Sequence, residues 1–97
     1  MVNFSVLIDE DAQEFLDKLS KKSNEIVKTK LRILESDPFP GKGGDKELLR
    51  SLKHDDVYRL HISRSYTAFY RISQDETIVR ILWLGTIEQA HKKYLRL

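Results

Sequence analysis

The stretch Asp56-Val57-Tyr58-Arg59-Leu60-His61-Ile62-Ser63-Arg64-Ser65-Tyr66-Thr67-Ala68-Phe69-Tyr70-Arg71-Ile72-Ser73 runs through Gln74-Asp75-Glu76 into Thr77-Ile78-Val79-Arg80-Ile81-Leu82-Trp83-Leu84. Three segments rich in aromatic and β-branched residues are separated by short polar turns, which predicts a three-strand antiparallel meander. Parallel crossovers need about a dozen residues or more, and these turns are shorter.

A turn at Ser63-Arg64-Ser65 pairs Ile62 with Tyr66, Leu60 with Ala68 and Tyr58 with Tyr70. Side chains alternate across a strand, so these six share one apolar face and should meet the core. Arg59, His61, Thr67, Phe69 and Arg71 take the other face, which gathers cations, an imidazole and an aromatic ring. A solvated face of an antiparallel sheet also carries arginine for no functional reason. In the third strand, a two-residue turn at Asp75-Glu76 puts Val79, Ile81 and Trp83 on the core face. A longer loop puts Arg80, Leu82 and Leu84 there instead. Arg80 suits a core badly, which favours the first register.

Working outward, Val2, Phe4, Val6 and Ile8 alternate with Asn3, Ser5 and Leu7 as a first strand. Asp9 is placed to cap a first helix with apolar stripe Ala12, Phe15, Leu16 and Leu19. Ser23 or Asn24 would cap a second helix, whose buried side is Ile26, Val27, Leu31, Ile33 and Leu34. Pro38 ends it. Phe39-Pro40-Gly41-Lys42-Gly43-Gly44 lacks the spacing of a phosphate loop and reads as a flexible connector, able to move as a basic flap. Lys46 to Leu52 reads as a helical turn or an extended arm, and the segment after Gly85 as a short basic helix.

The 97 residues predict one domain, 1–97, of α+β class. The order is β-α-α-β-β-β-α: a four-stranded, mainly antiparallel sheet, two helices on one face and a short C-terminal helix. The absence of cysteine excludes a disulfide framework and thiolate metal sites. No apolar run is long enough to span a bilayer, and the N-terminus lacks a signal-peptide pattern, so a cytoplasmic protein is expected. The formal charge is only +2, but it is unevenly spread. Acids dominate residues 1–25. Lys42, Lys46, Arg50, Lys53, Arg59, Arg64 and Arg71 dominate the middle, which suggests a polyanionic partner. The three histidines lack metal-ligand spacing, so neither metal nor cofactor is expected.

This order and these segments resemble the RelE/ParE family of type II toxins. The likeness covers nearly the whole chain. Val57-Tyr58-Arg59-Leu60-His61-Ile62 resembles the family's Tyr-Arg/Lys strand, and Ser65-Tyr66-Thr67-Ala68-Phe69-Tyr70-Arg71-Ile72 its Tyr-Arg-x-x-Tyr strand. Leu49-Arg50-Ser51-Leu52, and Leu82-Trp83-Leu84-Gly85 with Ala90-His91, match further segments. The resemblance implies an mRNA interferase, an endoribonuclease that cuts message on the ribosome without a metal. The alternative is a ParE-like inhibitor of DNA gyrase, or a weakened relative that only binds its partner. It also implies a cognate antitoxin.

For the nuclease, the resemblance implies Arg59 as the phosphate-binding cation and His61 as a proton-transfer group, since histidine titrates near neutrality. His91 or Tyr94 would be a second such group. Lys46, Arg50, Lys53, Arg64 and Arg71 would follow phosphates of message or ribosome. Thr67 and Ile87 depart from the family by standing where cations are usual.

Overall fold

The alternation in residues 57–73 is realised residue for residue. A computed structural model describes residues 3–41, 43–49 and 56–94. Their elements are β1 (Ser5–Ile8), α1 (Glu10–Asp17), α2 (Lys21–Ile33), β2 (Lys46–Leu49), β3 (Val57–Ile62), β4 (Tyr66–Ser73), β5 (Ile78–Thr86) and α3 (Ile87–Tyr94). The strands form one sheet in the order β1-β5-β4-β3-β2. β1 runs parallel to β5, and every other pairing is antiparallel.

The α+β class holds, with one correction. The sheet has five strands rather than four, because Lys46–Leu49 is a strand along the edge of β3. Two polar residues followed by two apolar ones do not alternate, so the segment carries no strand signature of its own. It becomes a strand by pairing with β3.

β3 and β4 pair in the expected register, with Ile62 opposite Tyr66, Leu60 opposite Ala68 and Tyr58 opposite Tyr70. The β4–β5 register begins as expected, with Tyr70 opposite Ile81. A bulge then opens between Phe69 and Tyr70, and Phe69 faces Trp83. The extra residue is Leu82. Val79, Ile81 and Leu84 therefore enter the main core, and Trp83 turns to the opposite face. That corrects the expected placement of Trp83. One bulged residue exchanges the faces of all that follow.

The main core fills the space between the sheet and α1 and α2. It contains Ala12, Leu16, Val27, Leu31 and Leu34 from the helical side and Leu60, Ile62, Ala68, Tyr70, Val79, Ile81 and Leu84 from the sheet. Ile26 and Ile33 are exposed, against expectation. On a helical period Val27, Leu31 and Leu34 form the stripe, and both isoleucines fall beside it. Ser20, not Ser23 or Asn24, caps α2, its hydroxyl accepting the Ser23 N–H at 3.3 Å. Asn24 instead donates to the Leu16 carbonyl at 2.9 Å, joining the two helices. Asp9 occupies the N-cap of α1 but makes no side-chain cap bond, because its carboxylate accepts from Arg80 Nε at 2.7 Å.

The connector after α2 is packed where it begins. Pro38 is buried, and Phe39 meets Phe4 and Tyr58 edge-on. Tyr58 stacks on Tyr70, whose hydroxyl donates to the Pro38 carbonyl at 2.7 Å. Burial pushes the Tyr70 phenol well above its ordinary value, so it stays a donor. Among the described residues no helix is long and apolar enough to cross a membrane.

Tyr70→Phe keeps the packing and strands one buried carbonyl. It should cost about 1–2 kcal/mol in urea unfolding. A loss below a few tenths would mean that Pro38 is satisfied some other way.

Candidate functional site

The face of the sheet away from α1 and α2 is not uniformly solvated. Thr67 and Phe69 are buried there, against the expectation of a wet face. α3 crosses β4 and β5, and Ala90 closes a second small core with Leu49, Val57 and Phe69. Phe69 stacks on Trp83 at 5.3 Å. The turn into α3 is fixed by a reciprocal cap. Thr86 N–H donates to Gln89 Oε1 at 3.0 Å, and Gln89 N–H to Thr86 Oγ1 at 3.1 Å. Trp83 can lie there only because residue 85 is glycine. A Cβ at Gly85 would stand 2.5 Å from Trp83 Cη2 and 2.9 Å from Gln89 Oε1.

Beside this small core the face opens. Arg59 and His61 project from β3 on one side, two residues apart, as predicted. The group that joins them is Glu47 on β2, directly opposite Arg59 in the strand register. Its Oε1 accepts from Arg59 Nη2 and lies 3.3 Å from His61 Nε2. An ionised carboxylate only accepts, so Nε2 is the protonated nitrogen. Burial drives the Glu47 carboxyl upward. The Arg59 hydrogen bond and charge, and the His61 hydrogen bond, overcome that and hold it below its ordinary 4.5. All three side chains remain about a quarter to two-fifths exposed, and so can be reached from solvent. Arg59 Nε is buried and has no hydrogen-bond partner among the described residues.

This cluster pairs a base, a cation and an imidazole on adjacent strands. Among the described residues both contacts of Glu47 land on one oxygen, Oε1. Sequence reasoning misses Glu47 because nothing marks β2 as a strand. The β2–β3 register is the signal that finds it.

The other predicted residues are scattered. Lys46 does not point at solvent. It is buried, and its ammonium donates to the Asp37 carboxylate and carbonyl, each at 2.9 Å. Arg64 is exposed in the β3–β4 turn. Arg71 lies half-buried on the open face, paired in register with Arg80. His91 is exposed on α3, and among the described residues no hydrogen bond or ion pair brings it to Arg59 or His61. Arg50 and Lys53, and the side chain of Tyr94, lie outside the described residues. Thr67 sits between His61 and Gly85 in the cross-strand row, buried, where a cation would be desolvated. Ile87 is exposed at the start of α3.

A helical pair thus covers one face of a β1-β5-β4-β3-β2 sheet, and a charged cluster lies on the other. Residues 3–90 match the family described as the ParE toxin of the type II toxin–antitoxin system, parDE, and the chain belongs to that family. No curated protein sequence matches it. The fold is similar to that of a chain in the archaeal RelE–RelB complex from Pyrococcus horikoshii OT3. The identity is 24%, the TM-score 0.72, and the match covers 89% of this chain and 96% of that one. It is also similar to a chain of the toxin–antitoxin complex RelBE2 from Mycobacterium tuberculosis, at 23% identity and TM-score 0.72, over 89% and 93% of the two chains. A free E. coli RelE mutant matches at 22% identity and TM-score 0.69, over 99% and 97%. At such identities the likeness concerns the fold.

Two outcomes follow from this geometry. A carboxyl held below 4.5 stabilises the fold fully above that value and loses its contribution as pH falls through the lowered one. Glu47→Gln should therefore flatten the acid limb of stability below about pH 4.5 and leave the limb above pH 8 unchanged in pH-dependent thermal melts. Gly85→Ala should displace the chain's single tryptophan, shift its emission and cost about 1–3 kcal/mol. Unchanged emission would mean that the ring has room to spare.

Proposed function

We propose that this toxin is a metal-free endoribonuclease acting on message at the ribosome. The observation that carries the reading is the Glu47–Arg59–His61 cluster on the open sheet face. Glu47 takes the proton of the 2′-hydroxyl, which attacks the adjacent phosphorus. Arg59 donates hydrogen bonds to the phosphoryl oxygens as charge builds on them. His61, as imidazolium, protonates the departing 5′-oxygen. A 2′,3′-cyclic phosphate and a free 5′-hydroxyl result, and the protons balance. Both proton transfers then lie within one cluster, without need of His91. A cognate antitoxin partner is supported by the similarity in fold to toxins solved with RelB or within RelBE2.

A second reading is inhibition of DNA gyrase by contact. It is favoured by the ParE family match and by the neutral Thr67 and Ile87. Each absent cation could be worth several kcal/mol of transition-state stabilisation in a nuclease.

Primer extension on a cell-free translation reaction separates the two. The nuclease reading expects new 5′ ends on translated message and none on naked RNA. Glu47→Gln and His61→Ala should each slow cleavage about 100-fold or more, and Arg59→Ala at least as much. His91→Ala should keep most of it. Uncut message together with blocked gyrase supercoiling would select the second reading.

A further inference from the structure

Lys46 is a buried cation outside the proposed chemistry. Its side chain lies on the helix side of the sheet, opposite Leu60, whereas its neighbour Glu47 lies on the open side, opposite Arg59. The ammonium meets two oxygens of one residue, the Asp37 carboxylate and carbonyl. The preceding residue, Asp45, is ion-paired to Lys30 of α2 at 2.7 Å. Both ion pairs border one hollow of about 390 Å³ beside Ile33. Two successive residues at the start of β2 are thus tied to α2 and to the segment that follows it.

β2 needs such ties. It is four residues long and, among the described residues, has a strand neighbour on one side only. An apolar side chain would fill the site of Lys46 without the desolvation that a buried ammonium suffers. A cation that must reach two fixed oxygens does something that an apolar group cannot: it selects one position of the strand. The geometry points to Lys46 as a positioning residue, whose ion pair with Asp37, beside that of Lys30 with Asp45, seats β2 so that Glu47 Oε1 meets both Arg59 and His61. Its consequence for cleavage rests on the nuclease reading, but the seating itself can be measured without RNA.

The test is a ¹³C carboxyl NMR titration of Glu47 in the intact chain. Wild type should titrate below 4.5, where Arg59 and His61 hold the carboxyl. In Lys46→Met the midpoint should rise toward the ordinary value while the amide signals of α1 and β5 stay in place. Asp37→Ala alters an exposed carboxylate and should move the midpoint the same way by a smaller amount. It decides the matter if Lys46→Met does not fold. Asp9→Ala breaks an ion pair at the opposite edge of the sheet and should leave Glu47 unmoved. In cleavage, Lys46→Met should lower kcat about tenfold with KM within about twofold, as expected when only the placement of a base is disturbed. A Glu47 midpoint unchanged in both folded variants would overturn the inference, and so would an equal shift in Asp9→Ala. A wild type that cuts no message, with Glu47 still released by Lys46→Met, would remove the nuclease reading and leave the positioning role standing.

Discussion

The structure depends on a strand that is buried on both sides. Thr67, Ala68, Phe69 and Tyr70 of β4 are consecutive and buried. Ala68 and Tyr70 belong to the core under α1 and α2, and Phe69 to the smaller core under α3. Such a strand fixes its neighbours, because a one-residue slip would carry polar groups into both cores together. The bulge in β5 reconciles the two demands. Leu84 stays with the helices, and Trp83 swings beneath α3. The open face is what the two cores leave over: a patch at the β2–β3 edge where Arg59 and His61 stay within reach of solvent.

The centre of the sheet was legible because its physics is local. Alternation from Tyr58 to Tyr70 names both faces, and Ser63-Arg64-Ser65 sets their register. Arg80 lies outside the core, as expected, but α2 stops at Ile33 and not at Pro38, the terminator that the sequence offers. The errors share a cause. The burial of Lys46 depends on Asp37, nine residues earlier, and no window of sequence couples the two. Glu47 carries no mark in the sequence because β2 owes its strand geometry to β3. The side taken by Trp83 is equally unmarked, because a bulge has no signature in Ile81-Leu82-Trp83-Leu84, a run that is apolar in either register. Ser20 outcompetes Ser23 as the cap of α2, and a serine in either place reads alike.

The departures at Thr67 and Ile87 take on a physical meaning beside this layout. Thr67 lies buried between His61 and Gly85, so a cation there would lose its solvent as well as repel its neighbours. Charge has instead been gathered one strand outward, where Glu47 balances Arg59 at the rim of the sheet. A neutral centre and a compensated edge differ from a wholly cationic face. An anion meeting such a surface would find directed hydrogen bonds more than net field.

The parallel pairing of β1 with β5 joins residues 5–8 to residues 78–81. α1 lies against β5 and has little sheet to cover until that strand is made. Contacts between residues far apart in sequence are the slowest to form, since the loop between them must close first. The apolar stripe of α1 therefore stays uncovered until β5 is in place. A fold assembled in this order covers the stripe of its first helix only when β5 has joined β1.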